Sequence, residues 1–440
     1  MYDIVIGRTE GDRKKYGKRG TILLGKHYVK MGQTMSLSSE IRLDIARAHV
    51  VSVFGKRGGG KSYTLGVIAE GLADIEPDVA QNLSIIILDT MGIYWTMKYP
   101  NKKDEDLLAL WGLKPKGLDV KIYTPVGYYQ QYKDKGIPTD FPFSIRPNEL
   151  GATDWAMAFD VNLHDEIGVL IEELVGEMKE TGDNYSIKDI IARVKAHPTA
   201  TAVTKNAATN LFSNSNNWGL FSEKGTAISD LAVGGQVTIL DVSCYATQQG
   251  SWAIKQMAVG LIAQKLFIQR MLSRKDEEFA DVHKSMNYFG EDDASQTKQE
   301  YPLVWLVIDE AHEFLPKDAV VASSDPLITI LREGRQPGIS LILATQQPGK
   351  IHTDVLTQSD TVLSHRITAK MDTDALGTLM QSYMRGGLTE QLDTLPRVQG
   401  VGVIFDDTNE KLFPMRVRPR FTWHGGESPN AIPKKKQYFK

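Results

Sequence analysis

The sequence lacks the features of a disulfide-stabilised, membrane-embedded or strongly basic protein. It holds a single cysteine, Cys244, among 440 residues, which leaves no partner for a disulfide and no thiolate zinc site. Its longest apolar runs, such as VWLVI at 304–308, have the length of a strand and fall far short of the ~20 residues that span a bilayer. The formal net charge is only −3, so contact with nucleic acid would require a local basic surface. We expect a cytoplasmic chain that makes no contact with a membrane.

The composition fits an ordinary folded protein with more than one domain. Hydrophobic residues make up 42% and charged residues 24% of the sequence, enough apolar material for a substantial core. We predict a short β-rich segment over 1–48, an α/β core over 49–150 and 231–420, a helical insertion over 151–230 and a basic C-terminal tail over 421–440.

The core is predicted from apolar runs that do not alternate with polar residues and are followed by helix-like segments. This pattern is typical of a parallel sheet covered on both faces. Six runs have this form: HVVSVF, LSIIILDT, QVTILDVS, LVWLVID, ISLILAT and TVLSHRI. A hairpin-like pair, GVGVIF and KLFPMRV, follows them.

The insertion is predicted from helical periodicity. Apolar residues from Ile167 to Met178 recur every three or four positions, and Ser186 with Asp189 has the form of a capping box. Residues 91–150 and the acidic stretch 276–300 lack this period, and we expect irregular structure there. The basic cluster RKKYGKR at 13–19 is expected to be a turn, either solvated or in contact with phosphate groups.

The segment GKRGGGKS has the spacing of a phosphate-binding loop, G-x-x-x-x-G-K-[ST], and stands between a buried strand and a helix. Its glycines allow successive backbone N–H groups to surround an anion at the helix N-terminus. Lys61 would reach the β- and γ-phosphates of ATP, and Ser62 would bind Mg²⁺. The residues predicted to bind the nucleotide are Gly55, Arg57, Gly58, Gly59, Gly60, Lys61, Ser62 and Tyr63.

The second acidic element of such a site is predicted in VWLVIDEAHEF. Asp309 would hold Mg²⁺ at the end of a buried strand, together with Ser62. Glu310 would polarise the attacking water. A structural role for one acidic residue at a strand end is the alternative.

Two further groups are needed to sense the γ-phosphate and to neutralise the charge that develops on it. Gln346 follows the run ISLILAT and is the predicted sensor, with the adjacent Gln347 as the alternative. Arg335, before that run, is the predicted arginine finger acting on a neighbouring subunit. Arg332 is the second choice, and Arg366 after TVLSH is a further candidate. A surface arginine that stabilises a helix C-terminus is the competing interpretation.

Three other polar residues have open interpretations. Asp89 ends a buried strand that we expect beside the phosphate loop, where it would contact the water shell of the metal or cap the turn TMGIYW. His49 and His312 are expected to pack or form hydrogen bonds, not to act in acid–base catalysis.

In order and content, these motifs resemble the HerA branch of the HerA/FtsK ring ATPases. The matching segments are HVVSVFGKRGGGKS, IIILDTMGIYW, VTILDVS, LVIDEAHEF, GRQPGISLILATQQP and SDTVLSHRIT. The resemblance implies a RecA-like P-loop NTPase core, a homohexameric ring with ATP sites shared between neighbours, and ATP-driven movement along double-stranded DNA. It also implies a NurA-type nuclease or another effector as partner, in DNA end processing or phage defence.

The family usually carries a small β-barrel before the core, and we expect that barrel to be reduced in the first 48 residues. The sequence motifs do not identify residues that contact DNA.

Other functions fit parts of the same pattern. The tetrapeptide DEAH also occurs in superfamily 2 helicases, but those need a second RecA-like domain after it. A nucleotide-gated ring scaffold that controls a partner effector without moving DNA is the main alternative. Conjugation or genome packaging by a related ring ATPase is a third possibility.

Overall fold

The computed structural model describes residues 3–31, 34–182, 184–247, 250–286, 301–367, 369–379 and 395–426. The later part of the predicted acidic loop, 287–300, and the predicted tail from 427 onward lie outside these ranges. Within them, no helix combines the length and apolar character needed to cross a membrane.

The described residues form one mixed sheet of thirteen strands. In chain order the strands are β1 (Ile4–Ile6), β2 (Thr21–Met31), β3 (Thr34–Asp44), β4 (Val50–Phe54), β5 (Leu83–Asp89), β6 (Val120–Pro125), β7 (Phe141–Phe143), β8 (Val237–Asp241), β9 (Leu303–Ile308), β10 (Ile339–Thr345), β11 (Thr361–His365), β12 (Val401–Asp406) and β13 (Lys411–Val417).

The helices lie mainly between these strands. They are α1 (Glu10–Tyr16), α2 (Lys61–Ala73), α3 (Pro77–Ala80), α4 (Glu105–Leu110), α5 (Val126–Asp134), α6 (Ala152–Phe159), α7 (Glu166–Glu180), α8 (Ile187–Ala196), α9 (Ala202–Asn216), α10 (Ile228–Leu231), α11 (Ser251–Met286), α12 (Ser324–Glu333), α13 (Thr353–Gln358) and α14 (Lys370–Leu379). Short 3₁₀ segments cover Tyr94–Lys98, Pro147–Glu149, Ser243–Thr247, Ala311–Glu313 and Pro348–Lys350.

The spatial order of the strands is β1-β3-β2-β13-β12-β11-β4-β10-β9-β5-β8-β6-β7. From β11 to β7 every neighbouring pair is parallel, so the carboxyl ends of these strands lie at one edge of the sheet. We call this the carboxyl edge and the opposite one the amino edge. The six predicted core strands are all in the parallel part, and the predicted hairpin is the antiparallel pair β12 and β13.

The parallel strands are buried on both faces because alternate side chains point to opposite sides. In β9, Trp305 and Val307 pack on the side of α2, whereas Leu306 and Ile308 pack on the side of α11 and the helical insertion. This arrangement explains why their sequences are continuously apolar. The predicted mostly parallel α/β fold is therefore confirmed.

The helical insertion also follows its sequence pattern. The 3–4 spacing from Ile167 to Met178 falls in α7, whose buried side includes Leu170 and Leu174. Ser186 and Asp189 form the reciprocal capping box at the start of α8. Helices α6 to α10 pack into the same hydrophobic layer as α11.

The N-terminal strands continue the core sheet. β2 pairs with β13 through His27 and Met415 and with β3 along most of its length. The basic cluster predicted as a turn begins inside helix α1, capped by the side chain of Thr9. The boundary of this segment with the core stays a prediction.

Three expectations of irregular structure are wrong. Residues 91–150 contain β6, β7 and two helices, of which α5 covers Tyr- and Gln-rich sequence that resembles a loop. The acidic stretch begins within α11, which continues to Met286 with Arg274 paired to Glu277 and Glu278. Residues 421–426 are described, and Phe421 is buried against the core, so the tail does not begin at 421.

Candidate active site

The phosphate-binding loop lies at the carboxyl edge, where β4 turns into α2 between β10 and β11. Gly60 precedes the first residue of α2 with a φ of +111°, a conformation that suits glycine. Gly55 lies against His365 so closely that a Cβ there would be 2.8 Å from the Cβ of His365. The loop backbone therefore approaches the side chain of His365 as closely as only glycine permits. The N–H groups at the start of α2 remain directed at the loop.

Lys61 and Ser62, the residues predicted to bind phosphate and metal, are the first two residues of α2. Lys61 is 6% exposed, and its Nζ lies 3.5 Å from the carbonyl oxygen of Lys56. Burial lowers the pKa of Lys61, and the nearby Asp309 and Glu310 oppose that shift. The Ser62 hydroxyl donates a hydrogen bond to Asp309 Oδ2 at 2.6 Å.

Ser62 and Asp309 offer the donor atoms that Mg²⁺ prefers. A hydroxyl and a carboxylate oxygen lie side by side, and Asp309 is 4% exposed. Mg²⁺ is commonly bound by one or two carboxylates together with phosphate oxygens and water. The residues therefore fit a magnesium ion shared with a bound polyphosphate.

Glu310 has an unusual backbone conformation and accepts a side-chain hydrogen bond from Gln346. It adopts φ 52° and ψ 44°, a left-handed conformation that is strained for a residue with a side chain and is often found at functional sites. Gln346 Nε2 donates to Glu310 Oε1 at 3.1 Å. Burial raises the pKa of Glu310, and the neighbouring Asp309 raises it further.

His312 links the acidic pair to the strand that carries the glutamines. Its Nδ1 lies 2.9 Å from Thr345 Oγ1, and its Nε2 lies 3.1 Å from Gln347 Nε2. Gln347 therefore engages the histidine, whereas Gln346 engages the carboxylate of Glu310. Burial lowers the pKa of His312, which favours the neutral ring that such a hydrogen-bonding role requires.

Arg57 and Tyr63, which are also predicted to bind nucleotide, have different surroundings. Arg57 is exposed at the tip of the loop. Tyr63 is half-buried, and its hydroxyl accepts a hydrogen bond from the backbone N–H of Arg420 at 2.6 Å. Burial raises the pKa of this hydroxyl.

The predicted finger lies at the amino edge. Arg335 precedes β10 and Gln346 follows it, and a seven-residue strand spans about 23 Å. Arg335 is exposed beside a cleft of about 560 Å³ that Arg274 and Gln336 also line. Within the described ranges it makes neither a hydrogen bond nor an ion pair. Arg335 is thus held away from the phosphate loop of its own chain.

The two alternative arginines are placed differently. Arg332 donates to Asp354 at 2.6 Å and is engaged within its own chain. Arg366 follows β11, and its carbonyl oxygen accepts the N–H of Lys56 in the phosphate loop. Of the three candidates, Arg335 is the one at the amino edge whose guanidinium is unpaired in the described chain.

The expected position of Asp89 is wrong, although one of its two expected roles fits. Its strand is separated from β4 by β10 and β9, because strand order in space does not follow the order along the chain. The Asp89 carboxylate accepts the backbone N–H groups of Gly92 and Tyr94 at 2.7 and 2.8 Å and so caps the turn. Burial, together with the facing carboxylate of Asp241, raises the pKa of Asp89 to about 7.

His365 is a site residue that the motif analysis did not single out. It lies at the end of β11 under the loop, fully buried. Its Nδ1 donates to the Val401 carbonyl at 3.1 Å, and its Nε2 lies 2.8 Å from the Thr64 hydroxyl. Burial lowers the pKa of His365 to about 4, so the ring is neutral and fixes the loop to the strand beside it. A polar residue closing an otherwise apolar run was the available signal.

Comparison with known proteins adds to this geometry. The sequence model of the family described as "Helicase HerA, central domain" matches residues 28–260, and that of "Zonular occludens toxin (Zot)" matches 269–378. The first match contains the phosphate loop, and the second contains Asp309, Glu310 and Gln346.

Two curated proteins are similar over shorter segments. The probable DNA double-strand break repair helicase HerA of Methanocaldococcus jannaschii is 29% identical over 119 residues, which cover 26% of this chain and 24% of that protein. The DNA double-strand break repair helicase HerA of Pyrococcus furiosus is 26% identical over 147 residues, which cover 32% of this chain and 26% of that protein. The matched segments thus span about a quarter of these relatives' lengths.

Among solved structures, VirB4 of Thermoanaerobacter pseudethanolicus superposes with a TM-score of 0.52 and 14% identity, covering 90% of this chain and 96% of that one. This similarity supports the fold alone. The family match covers more than half of the chain and includes the phosphate loop, and so confirms the resemblance stated from the motifs. The chain belongs to the family described as "Helicase HerA, central domain", with the fold of the P-loop ATPases.

Proposed function

We propose that the chain binds ATP with Mg²⁺ and hydrolyses it, using the groups collected at the carboxyl edge. The observation that carries this proposal is the pairing of Ser62 with Asp309 beside the pairing of Gln346 with Glu310. The loop N–H groups and Lys61 would hold the phosphates. Ser62 and Asp309 would hold Mg²⁺, which when bound offsets negative charge on the phosphate oxygens.

Glu310 has the surroundings of a general base. Its raised pKa brings the carboxylate closer to the range in which a base both stays deprotonated and takes up a proton effectively. In the proposed reaction it accepts the proton of the water that attacks the γ-phosphate. Gln346, hydrogen-bonded to it, would orient that water and respond to the presence of the γ-phosphate.

We propose that a second copy provides a cation opposite the phosphate loop. Arg335 is exposed and unpaired in the described chain, and β10 separates it from its own loop. A guanidinium that enters a neighbouring site would stabilise charge on the transferred phosphoryl group. This arrangement requires a ring or another assembly with head-to-tail contacts, and we propose a homohexamer.

We propose that the assembly uses ATP to move along double-stranded DNA, with a NurA-type nuclease or another effector as partner in DNA end processing or phage defence. The support is family membership and the names of the two curated relatives, a probable and a named DNA double-strand break repair helicase HerA. The alternative is a nucleotide-gated ring scaffold that controls an effector without moving DNA.

The test is the rate of phosphate release and the native mass of the purified chain, with and without duplex DNA over a series of salt concentrations. We expect a multimeric mass, stimulation by duplex DNA, and stimulation that weakens steeply with salt because DNA binding releases counterions. Glu310→Gln serves as the control for contaminating ATPase.

ATP hydrolysis that is indifferent to duplex DNA at every salt concentration would contradict DNA movement and favour the scaffold. A monomer that hydrolyses ATP at the full rate would contradict the shared site.

A further inference from the structure

The segment 418–424, here called the C-terminal strap, lies along the helix that begins at the phosphate loop. It contacts three positions on one side of α2: Tyr63, Gly66 and Glu70. Arg420 N–H donates to the Tyr63 hydroxyl, and the guanidinium of Arg420 lies over Gly66. These positions are three and four residues apart and therefore form one stripe of the helix.

The strap is held by a buried carboxylate. Glu70 is fully buried and accepts hydrogen bonds from five donors, which are Arg418 Nη1 at 2.7 Å, Arg420 Nε at 3.1 Å, the N–H groups of Phe421 and Thr422 at 3.2 and 3.0 Å, and the Thr422 hydroxyl at 2.5 Å. The carboxylate of Glu70 and the guanidinium groups of Arg418 and Arg420 thus form a rigid connection between α2 and the strap. Breaking this connection would leave a charge buried without a partner.

Gly66 shows how close this approach is. A Cβ at this position would lie 2.4 Å from Nη1 and 2.6 Å from Cζ of Arg420. A larger residue would displace the strap from α2. Helix α2, which follows the phosphate loop, is therefore in tight contact with the strap at Gly66.

The strap contacts the first turn of α2 at Tyr63, directly after the serine of the phosphate loop. Asp309, Glu310 and Gln346 mark the γ-phosphate end of the site. The backbone N–H groups of a phosphate-binding loop surround the α- and β-phosphates, and the nucleoside of ATP is bonded to the α-phosphate. In this chain the residue after Ser62 is Tyr63, which is in contact with the strap.

Two aromatic rings meet at this place. The rings of Tyr63 and His424 are in edge-to-face contact with centroids 5.2 Å apart, and both side chains are partly exposed. His424 Nδ1 accepts a hydrogen bond from Arg420 Nη1 at 3.2 Å, which fixes the orientation of the imidazole. Trp423 beside it is 41% exposed. Partly exposed rings on an immobile support suit stacking with a planar base.

We propose that Tyr63 and His424 form the binding surface for the purine base of the nucleotide, with the C-terminal strap as its support. This inference rests on the proposed ATP site and names the residues that recognise the part of ATP beyond the phosphates. If the strap were only a brace for α2, His424 would have no influence on the base.

The test compares ATP and ADP, which both carry adenosine, with inorganic tripolyphosphate, which has phosphate groups but no nucleoside. Their dissociation constants are measured by calorimetry with the full chain and magnesium. For His424→Ala we expect about tenfold weaker binding of ATP and of ADP, because one stacking surface is lost. Tripolyphosphate should bind within twofold of the unmodified chain, because the phosphate loop is unchanged.

Two further variants control for indirect effects. His424→Phe keeps an aromatic face and should restore the affinity for ATP, which a purely polar role of the imidazole would not allow. His283→Ala is the matched control, since His283 also makes an edge-to-face contact with an aromatic ring, that of Phe279, on the distant part of α11. It should leave all three affinities unchanged.

The outcomes separate this inference from the proposed function. Unchanged ATP affinity in His424→Ala, in a chain that binds ATP and tripolyphosphate normally, overturns the base-binding surface alone. Equal losses for ATP and tripolyphosphate overturn it as well and assign the strap to bracing the loop. An unmodified chain that binds neither ligand overturns the ATP site and this inference together.

Discussion

The two edges of the parallel strands differ in how their polar groups are used. At the carboxyl edge, the side chains form two hydrogen-bonded pairs, Ser62 with Asp309 and Gln346 with Glu310. The amino edge carries Arg335, which is exposed and unpaired within the described residues. Under the proposed function, each chain would complete most of one nucleotide site and present the remaining cation to another copy.

Another polar residue at the amino edge has hydrogen-bond partners within the chain. His49, just before β4, lies in the same edge region with its ring between Asp44 and Asp360, at 3.3 and 2.9 Å. The His49 ring is buried, and both of its nitrogens have a carboxylate partner at this junction between β3, β4 and β11. Arg335 therefore stands out by contrast with a neighbouring group that is fully paired.

The sharpest way to break this comparison is Arg335→Ala. We expect the rate of ATP hydrolysis to fall by about 10³–10⁵-fold, the range attributed to arginine fingers, while ATP affinity and folding stay unchanged. Arg332→Ala is the matched control, because that guanidinium is occupied by Asp354 and should change the rate little. A fully active Arg335→Ala chain would remove the functional distinction between the two edges.

Glu310→Gln tests the role of the carboxyl edge directly. Replacing the proposed base should slow phosphate release by about 10²–10⁴-fold, with ATP binding retained. In the unmodified chain, the raised pKa of Glu310 predicts that activity declines on acidification at a pH above the usual range of a glutamate. Phosphate release measured from pH 4.5 to 8 checks both statements. An acid limb identical in the variant and the unmodified chain would assign the titration to another group.

Helix α2, which begins at the carboxyl edge, should also be stable without a second copy, because the contacts that anchor it to the strap are internal. Glu70→Ala leaves Arg418 and Arg420 buried without a carboxylate, and we expect a loss of roughly 3–5 kcal/mol in the free energy of unfolding. Glu10→Ala on α1, which removes an exposed ion pair with Lys14, is the control and should show no measurable change. Denaturant unfolding at a concentration that keeps the chain dissociated measures both. Equal stability of the two variants would show that the strap is loosely held.

The histidine at the amino edge gives the smallest effect, one that depends on pH. Burial alone lowers the pKa of His49, but hydrogen bonds to Asp360 and Asp44 outweigh it and raise the pKa to about 9 from 6.5. The charged ring therefore stabilises the native state fully below pH 6.5, and this contribution of about 3 kcal/mol disappears as the pH rises to 9. Unfolding free energies at pH 6 and 9.5 should differ accordingly, and His49→Asn should remove this difference. A slope that persists in His49→Asn would contradict the assignment.

Much of the fold could be predicted from the sequence because the central strands are buried on both faces. Their apolar runs, the glycine loop and the capping box of Ser186 are local patterns, and local patterns survive in the folded chain. Helix α5 was missed because Tyr and Gln dominate it and Pro125 precedes it, which is a composition typical of loops. The sequence predicts irregular structure from residue 276, although α11 continues to Met286, because the acidic end of this helix is exposed and exposed positions carry no apolar period.

The site was only partly predictable for a different reason. The loop and the acidic pair are contiguous motifs, whereas the contacts that fix them join distant positions. Glu70 meets Arg418 across 348 residues, and Thr64 meets His365 across 301. Neither partner has a distinctive neighbourhood in the sequence. The place of Asp89 was wrong because strand order in the sheet is set by crossovers that the sequence does not display.

The central claim, that each nucleotide site combines two copies, is tested most directly by co-producing Arg335→Ala and Glu310→Gln chains and measuring phosphate release from the mixed assembly. An Arg335→Ala chain retains an intact carboxyl edge, and a neighbouring Glu310→Gln chain supplies the arginine. The account predicts that either variant alone is inactive and that the mixture recovers part of the activity. A mixed assembly as inactive as its two parents would contradict it.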